Sequence, residues 1–285
     1  MSSPAILKGL REIAADYDAL VCDVWGVLHN GKHARGPAVD ALQRFRKNHG
    51  PVVLLSNAPR PVAAVIEQFA RLGVPPDCYD AIVTSGATAH DDLERRARNA
   101  RLPILHIGPE RDRGVFEGLA VDCVEAARAQ VILCTGLFDD DNETPDDYRE
   151  MLAPLAARKL VMLCANPDIL VQRGTALIYC AGAIARIYED MGGEAIYYGK
   201  PHRPVYDMSL ARAREAPGRE IRKPLAIGDG LHTDILGANR AGLDALFIAD
   251  GVHGEELGAF TAENLARLFG QARVSVRAAM PALVW

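Results

Sequence analysis

Residues 21–27 read Val21-Cys22-Asp23-Val24-Trp25-Gly26-Val27, an apolar strand that runs into a carboxylate and then a glycine turn. Three further polar clusters follow in order: Ser56-Asn57, Gly199-Lys200-Pro201, and Gly228-Asp229-Gly230-Leu231-His232-Thr233-Asp234. Each follows an apolar run or sits beside one. In an open parallel sheet, residues just past the carboxyl ends of strands converge on one crevice. Two carboxylates, a hydroxyl and a lysine gathered there suit a divalent cation and a phosphoryl group.

Outward from Asp23, strand and helix patterns alternate. Strands are expected at Ala19–Cys22, Val52–Leu55 and Ala81–Val83, with helices at Pro37–Lys47 and Pro61–Arg71 between them. This βαβαβ order implies an α/β fold with a doubly wound, Rossmann-like parallel sheet. A second α/β block follows, with strands at Ile104–Ile107, Val131–Cys134 and Leu160–Cys164 and helices at Pro145–Ala157 and Thr175–Met191. After Gly192-Gly193 the first pattern resumes: helix Pro204–Arg214, strand Leu225–Ile227, helix His232–Ala241, strand Ala245–Ile248. The polar clusters lie only in the outer blocks. The chain therefore reads as a core of residues 1–86 and 195–285 interrupted by an inserted α/β cap domain, 87–194, with hinges near Ser85-Gly86 and Gly192-Gly193. The N-terminal stretch reads as an amphipathic helix with Ser3 as N-cap and Pro4 in its first turn. The tail after Gly270 carries no clear pattern.

Composition sets bounds. The chain has 285 residues, a net charge of -5 and 49% hydrophobic residues, which suits a buried core and disfavours nucleic acid as a partner. No run of about 18 apolar residues suggests a membrane span. The six cysteines include no Cys-x-x-Cys pair, so buried reduced thiols in a cytoplasmic protein are expected rather than a zinc site. The acidic run Asp139-Asp140-Asp141-Asn142-Glu143 lacks the glycine of a calcium loop and reads as a solvated lead-in to a helix capped by Thr144.

Taken singly, each cluster has a plain structural reading. Asp23 can cap a turn, Asp234 sits where a helix dipole favours an acid, Ser56 can be an N-cap, and Lys200 can be a surface lysine. Their order and shared placement at strand ends favour one site. There Asp23 would attack phosphorus as a nucleophile, Asp229 would bind the cation, and Lys200 would neutralise the transferring group. Ser56 and Asn57, just before a helix, suit an anion.

This set resembles the haloacid dehalogenase superfamily, and within it the class IIA, NagD-like or nitrophenylphosphatase-like branch with a large α/β cap. Asp23 through Val27 match the nucleophile motif, Ser56-Asn57 the phosphate-binding motif, Gly199-Lys200-Pro201 the lysine motif, and Gly228 through Asp234 the acidic motif. Ala165-Asn166-Pro167-Asp168, then Gly174 and a helix from Thr175, resemble a segment typical of these caps. The resemblance implies Mg²⁺ held by Asp23, Asp229 and the backbone carbonyl of Trp25, with Asp234 as an outer group. It implies a phosphatase that hydrolyses a small phosphorylated metabolite through an aspartyl-phosphate on Asp23. Asn166 and Asp168 are expected to face the substrate, and a homodimer through the cap is a further expectation. Trp25 departs from the pattern, because family phosphatases carry a general acid there. His29, His33, His202 and His232 are the candidate surrogates, with His29 preferred. Two alternatives stand beside this reading: a phosphate-binding protein that has lost turnover and, less favoured, a carbon–halogen hydrolase.

Overall fold

The computed structural model describes residues 4–173, 176–217 and 220–285. Contacts divide the chain into two units. The first takes the chain up to Ser56, Ala63–Val83, and everything from Lys200; the second takes Asn57–Val62 and Thr84–Gly199. The short segment Asn57–Val62 thus groups with the second unit, beyond the expected 87–194.

In chain order the strands are β1 (Ala5–Ile6), β2 (Ala19–Asp23), β3 (Val52–Ser56), β4 (Ala81–Thr84), β5 (Leu102–Ile107), β6 (Val121–Cys123) and β7 (Val131–Cys134). They continue as β8 (Val161–Cys164), β9 (Leu170–Arg173), β10 (Ala176–Tyr179), β11 (Glu194–Tyr197), β12 (Pro224–Gly228), β13 (Asp244–Ile248) and β14 (Ala278–Met280). The first unit holds a sheet of order β1-β14-β13-β12-β2-β3-β4. Its pairings from β1 through β3 are parallel. The order reverses between β2 and β12, and such a switch point opens a crevice at the carboxyl ends. All five residues of β2 are buried, as expected of a strand covered on both faces. Val21, Val53, Ala226 and Phe247 lie on one face by register, covered by Val205 and Tyr206 toward one edge and by Leu265, Leu268 and Phe269 toward the other. Leu20, Cys22, Leu54 and Ile227 point to the opposite face and are also buried. Helix Gly36–Asn48 buries Ala38, Val39, Ala41, Leu42 and Phe45, a stripe at helical spacing.

The second unit has its own parallel sheet, β11-β8-β7-β5-β6. Its cores form around Leu152, Ile184 and Tyr188 on one side and Leu93, Ile104 and Leu163 on the other. Where the chain enters and leaves this unit, backbone and side chains meet. A side chain on Gly199 would collide with the Ser85 hydroxyl and the Asn57 carboxamide, and Gly86 N–H donates to the Ala58 carbonyl at 3.1 Å.

Three expectations change. The N-terminal segment is not a long helix: Ala5–Ile6 pairs with Ala278–Ala279 in the sheet, and two 3₁₀ turns follow at Leu10–Glu12 and Ala14–Asp16. The sheet edge satisfies backbone groups that an isolated amphipathic helix would otherwise hold, and Leu10 N–H donates to Val284 O at 2.8 Å. Ser3 lies outside the described residues. The patternless tail therefore supplies a strand. The helix expected from Thr175 begins instead at Ala181; Gly174 and Thr175 lie outside the described residues. Ahead of it, Leu177, Ile178 and Tyr179 alternate exposed, buried, exposed, the strand period, and β10 pairs antiparallel with β9. The acidic run leads into a helix as expected, with Thr144 and Asp147 forming a capping box, but it is not wholly solvated: the Asp140 side chain is mostly buried against Arg111. Among the described residues no cysteine is disulfide-bonded, and Cys22, Cys134, Cys164 and Cys180 are buried. No described helix is long and apolar enough to cross a membrane.

Candidate active site

The register of the first sheet pairs Cys22 with Ile227 and Asp23 with Leu55. Asp229 and Ser56 therefore leave their strands on either side of Asp23. Asp23, Asp229 and Asp234 are 5%, 3% and 6% exposed. Each offers a carboxylate oxygen, and these oxygens lie within 4.8 Å of one another. Lys200 Nζ, itself buried, donates to Asp23 Oδ1 and, at 2.7 Å, to Asp234 Oδ1.

The backbone fixes each acid. Asp234 Oδ2 accepts from Gly230 N–H at 3.0 Å and from Thr233 Oγ1 at 3.3 Å. A single π turn over Leu231–Ile235 makes this return possible, a device frequent at functional sites. Tyr206 O–H donates to the Asp234 carbonyl at 3.0 Å. Asp229 Oδ2 accepts from Val252 N–H at 3.0 Å. Its carboxylate lies against the backbones of Gly26 and Gly251: a Cβ on either would overlap it, and Gly26 has φ +88°. Only glycine accepts both conditions at residue 26.

Electrostatics follow from this crowding. Burial, then the charge of Asp234, pushes the Asp23 carboxyl well above its ordinary range, with Lys200 opposing. Burial, then Asp234, raises Asp229 to about 6, with the Val252 N–H opposing. Burial works against the Lys200 charge, but Asp23 and Asp234 outweigh it and hold the ammonium well above its usual value. Three carboxyl groups face one ammonium in a buried space, so full ionisation would leave two negative charges uncompensated. Such a charge excess fits a divalent cation. Asp234 has both oxygens engaged, whereas Asp23 and Asp229 each keep an oxygen outside the hydrogen bonds named above. The side chains of Asp23 and Asp229 therefore suit a divalent cation.

Trp25 has an exposed indole, 46% accessible. Its ring meets His29 edge-on at 5.3 Å. His29 is buried and accepts Gly31 N–H on Nδ1 at 3.1 Å. Burial lowers its pKa to about 4. It is neutral near pH 7, with one ring nitrogen already engaged, so the geometry suits a loop brace rather than a surrogate acid. His33 and His232 are exposed and His202 is half-buried. Ser56 is half-buried at the end of β3.

Asn57, Asn166 and Asp168 come together in the second unit. Asn57 Nδ2 donates to Asp168 Oδ1 at 2.9 Å, and Asp168 N–H donates to Asn166 Oδ1 at 3.1 Å. Sequence reading missed the Gly251–Val252 clasp, Thr233 and Tyr206. It also missed His253, whose Nε2 accepts Leu231 N–H at 3.2 Å. The Asp250-Gly251 pair just past β13 was a visible signal for the clasp, because it repeats the strand-then-glycine pattern.

Comparison with known proteins agrees with this geometry. A family model described as haloacid dehalogenase-like hydrolase matches residues 20–122, and a second, described as HAD-hydrolase-like, matches 197–268. A solved hydrolase of the haloacid dehalogenase-like family from Brucella suis is 43% identical, covers 98% of this chain and 100% of its own, and superposes with a TM-score of 0.84. D-glycerol 3-phosphate phosphatase of Mycobacterium tuberculosis is 26% identical over 86% of this chain, a match that spans 66% of that protein. Ribonucleotide monophosphatase NagD of Escherichia coli is 25% identical over 82% of this chain and 88% of its own length. A glycerol phosphate phosphatase of Mycobacterium tuberculosis solved with calcium matches with a TM-score of 0.64 at 25% identity, covering 84% of this chain and 68% of that one.

Proposed function

Because the chain belongs to the haloacid dehalogenase-like hydrolase family, we propose that it is a Mg²⁺-dependent phosphatase that hydrolyses a small phosphomonoester through an aspartyl-phosphate on Asp23. The observation that carries this reading is the meeting of Asp23, Asp229 and Asp234 with Lys200 at one end of the sheet. Phosphatases among the curated relatives support it.

In this reading an oxygen of Asp23 attacks phosphorus, and the bond to the leaving oxygen breaks with its electron pair. Water then attacks the same phosphorus, phosphate departs, and the Asp23 carboxylate is restored. Asp23, Asp229 and the Trp25 carbonyl would hold the cation, which supplies charge to screen one anion from another. Lys200 neutralises Asp23 and the transferring group, and Asp234 holds Lys200 in place. Ser56 donates its hydroxyl to a phosphoryl oxygen. Trp25 has no acidic proton to give the leaving oxygen, and a positioned acid is typically worth roughly 10²–10⁴-fold. The enzyme is therefore expected to favour esters whose oxygen leaves without help. The same residue supports a second reading, a phosphate-binding protein without turnover.

A panel of phosphorylated metabolites and p-nitrophenyl phosphate, assayed with and without Mg²⁺ and with Asp23→Asn as the blank, separates the two. Phosphate release that needs both Mg²⁺ and Asp23, and is at least about 10²-fold faster for aryl than for alkyl esters, is the expected result. Tight binding of phosphate esters with no release from any of them would leave the binding-protein reading.

A further inference from the structure

We infer that Trp25 and Val252 form a platform for the organic part of the substrate and select a planar, apolar leaving group, so that the substrate class is aryl phosphates. This rests on the phosphatase reading above and narrows it.

Position comes first. Trp25 precedes Gly26 and Val252 follows Gly251, the two glycines whose backbones abut the Asp229 carboxylate. The side chains thus branch from two separate loops at the same acid, and Val252 N–H is bonded to it. Exposure comes second. Trp25 is 46% and Val252 68% accessible, while Val24, Val27 and Leu28 beside Trp25 are buried. The first loop buries its other apolar side chains and leaves the largest one out.

Rigidity comes third. The indole packs against Gly31 so closely that any Cβ there would collide with it. Its edge contact, His29, is held in turn by Gly31 N–H and by Phe69, whose ring lies 6.0 Å away and edge-on. An aromatic surface fixed before binding loses little entropy when a ligand covers it. Ring-on-ring contact with an offset or edge geometry adds attraction beyond area.

Chemistry makes the fourth point. When Asp23 attacks, the bond from phosphorus to the leaving oxygen breaks and its electron pair departs on that oxygen. Nothing at residue 25 protonates it. A phenolic oxygen, the conjugate base of an acid of pKa about 10, delocalises that pair into its ring and takes a proton from solvent afterwards. An alkyl alkoxide has no such outlet. Acyl phosphates share the good leaving group but offer no ring to the indole. The missing proton donor and the planar surface therefore point to one substrate class from two directions.

Two non-hydrolysable phosphonates test this on the full chain with Mg²⁺. Phenylphosphonate and methylphosphonate share the phosphonate group and differ in carrying a phenyl ring or a methyl group on phosphorus. By calorimetry, phenylphosphonate should bind the wild type about tenfold tighter. Trp25→Ala should shrink that preference to about twofold, and Trp25→Phe should keep most of it. In Trp285→Phe, which leaves Trp25 as the sole tryptophan, phenylphosphonate alone should shift the indole emission. Equal affinities in the wild type, or a preference that survives Trp25→Ala, would overturn the platform and leave the phosphatase reading standing. If neither phosphonate nor inorganic phosphate binds, the phosphate site itself is refuted and the platform with it.

Discussion

At the carboxyl end of the first unit's sheet, three buried carboxylates share one lysine. Past the strand ends of the second unit's sheet, the balance is different. There Arg111 holds Asp140 at 2.6 Å and Arg60 faces Asp112 at 3.6 Å. These four line a cavity of about 180 Å³ together with Thr135 and Asn166, which follow β7 and β8. Both sheets are parallel, both reverse strand order near the middle, and both put polar residues beyond that point. Topology supplies the place in each case. What separates the two is charge: three against one in the first unit, two against two in the second. A fold offers a crevice, and the imbalance of charge in it decides whether a divalent cation is wanted.

The comparison can be broken where the effect is largest. Lys200→Met leaves the buried acids without their cation, and removing one partner of a buried pair typically costs about 3–5 kcal/mol. Thermal melting without Mg²⁺ should show that loss, and Mg²⁺ should recover part of it. A Lys200→Met protein that melts like the wild type would mean that the lysine does not offset the crowding of the three acids.

Asp112 gives the next largest effect, with the opposite lesson. Burial raises its pKa to about 6, with Arg60 and Arg111 opposing. The folded protein therefore holds this proton more tightly than the unfolded chain. Its contribution to stability is full below about pH 4 and is lost as pH rises through about 6, some 3 kcal/mol in all. Asp112→Asn should match the wild type near pH 4 and exceed it at pH 7, as read by denaturant titration at the two pH values. A constant difference between the proteins would show that Arg60 already pays for the charge.

The smallest effect sharpens the contrast. The Arg111–Asp140 bridge has a half-exposed arginine, so Arg111→Ala should cost no more than about 1 kcal/mol. Its thermal midpoint should stay within a few degrees of the wild type. A loss as large as that of Lys200→Met would erase the distinction between the units.

How much of this could be read from the chain depended on local pattern. Val21-Cys22-Asp23 and Ile227-Gly228-Asp229 announce buried strands that end in acids, and the structure places those acids together. Val131–Cys134 matches its strand to the residue. The terminal segments were illegible because β1 and β14 are short and gain their form only by pairing with the sheet edge. The antiparallel β9–β10 pair was hidden for a related reason. Its residues run on into a true helix at Ala181, and only strand pairing separates the two. The glycine clasp on Asp229 joins residues 26 and 251, a distance no periodicity spans. The bracing of His29 also depends on a tertiary neighbour, Phe69. A histidine six residues past Asp23 looks free to titrate until the packing around it is known.

One contact bears on how such a chain assembles at all. Gly199 lies against Ser85 at the mouth of the second unit. Left as loose coil, the hundred-odd residues between them would oppose the union of β2 with β12 by on the order of 4 kcal/mol of closure entropy. Folded, the same stretch hands the sheet two chain ends already side by side, so the interruption weighs on the core little more than a tight turn would.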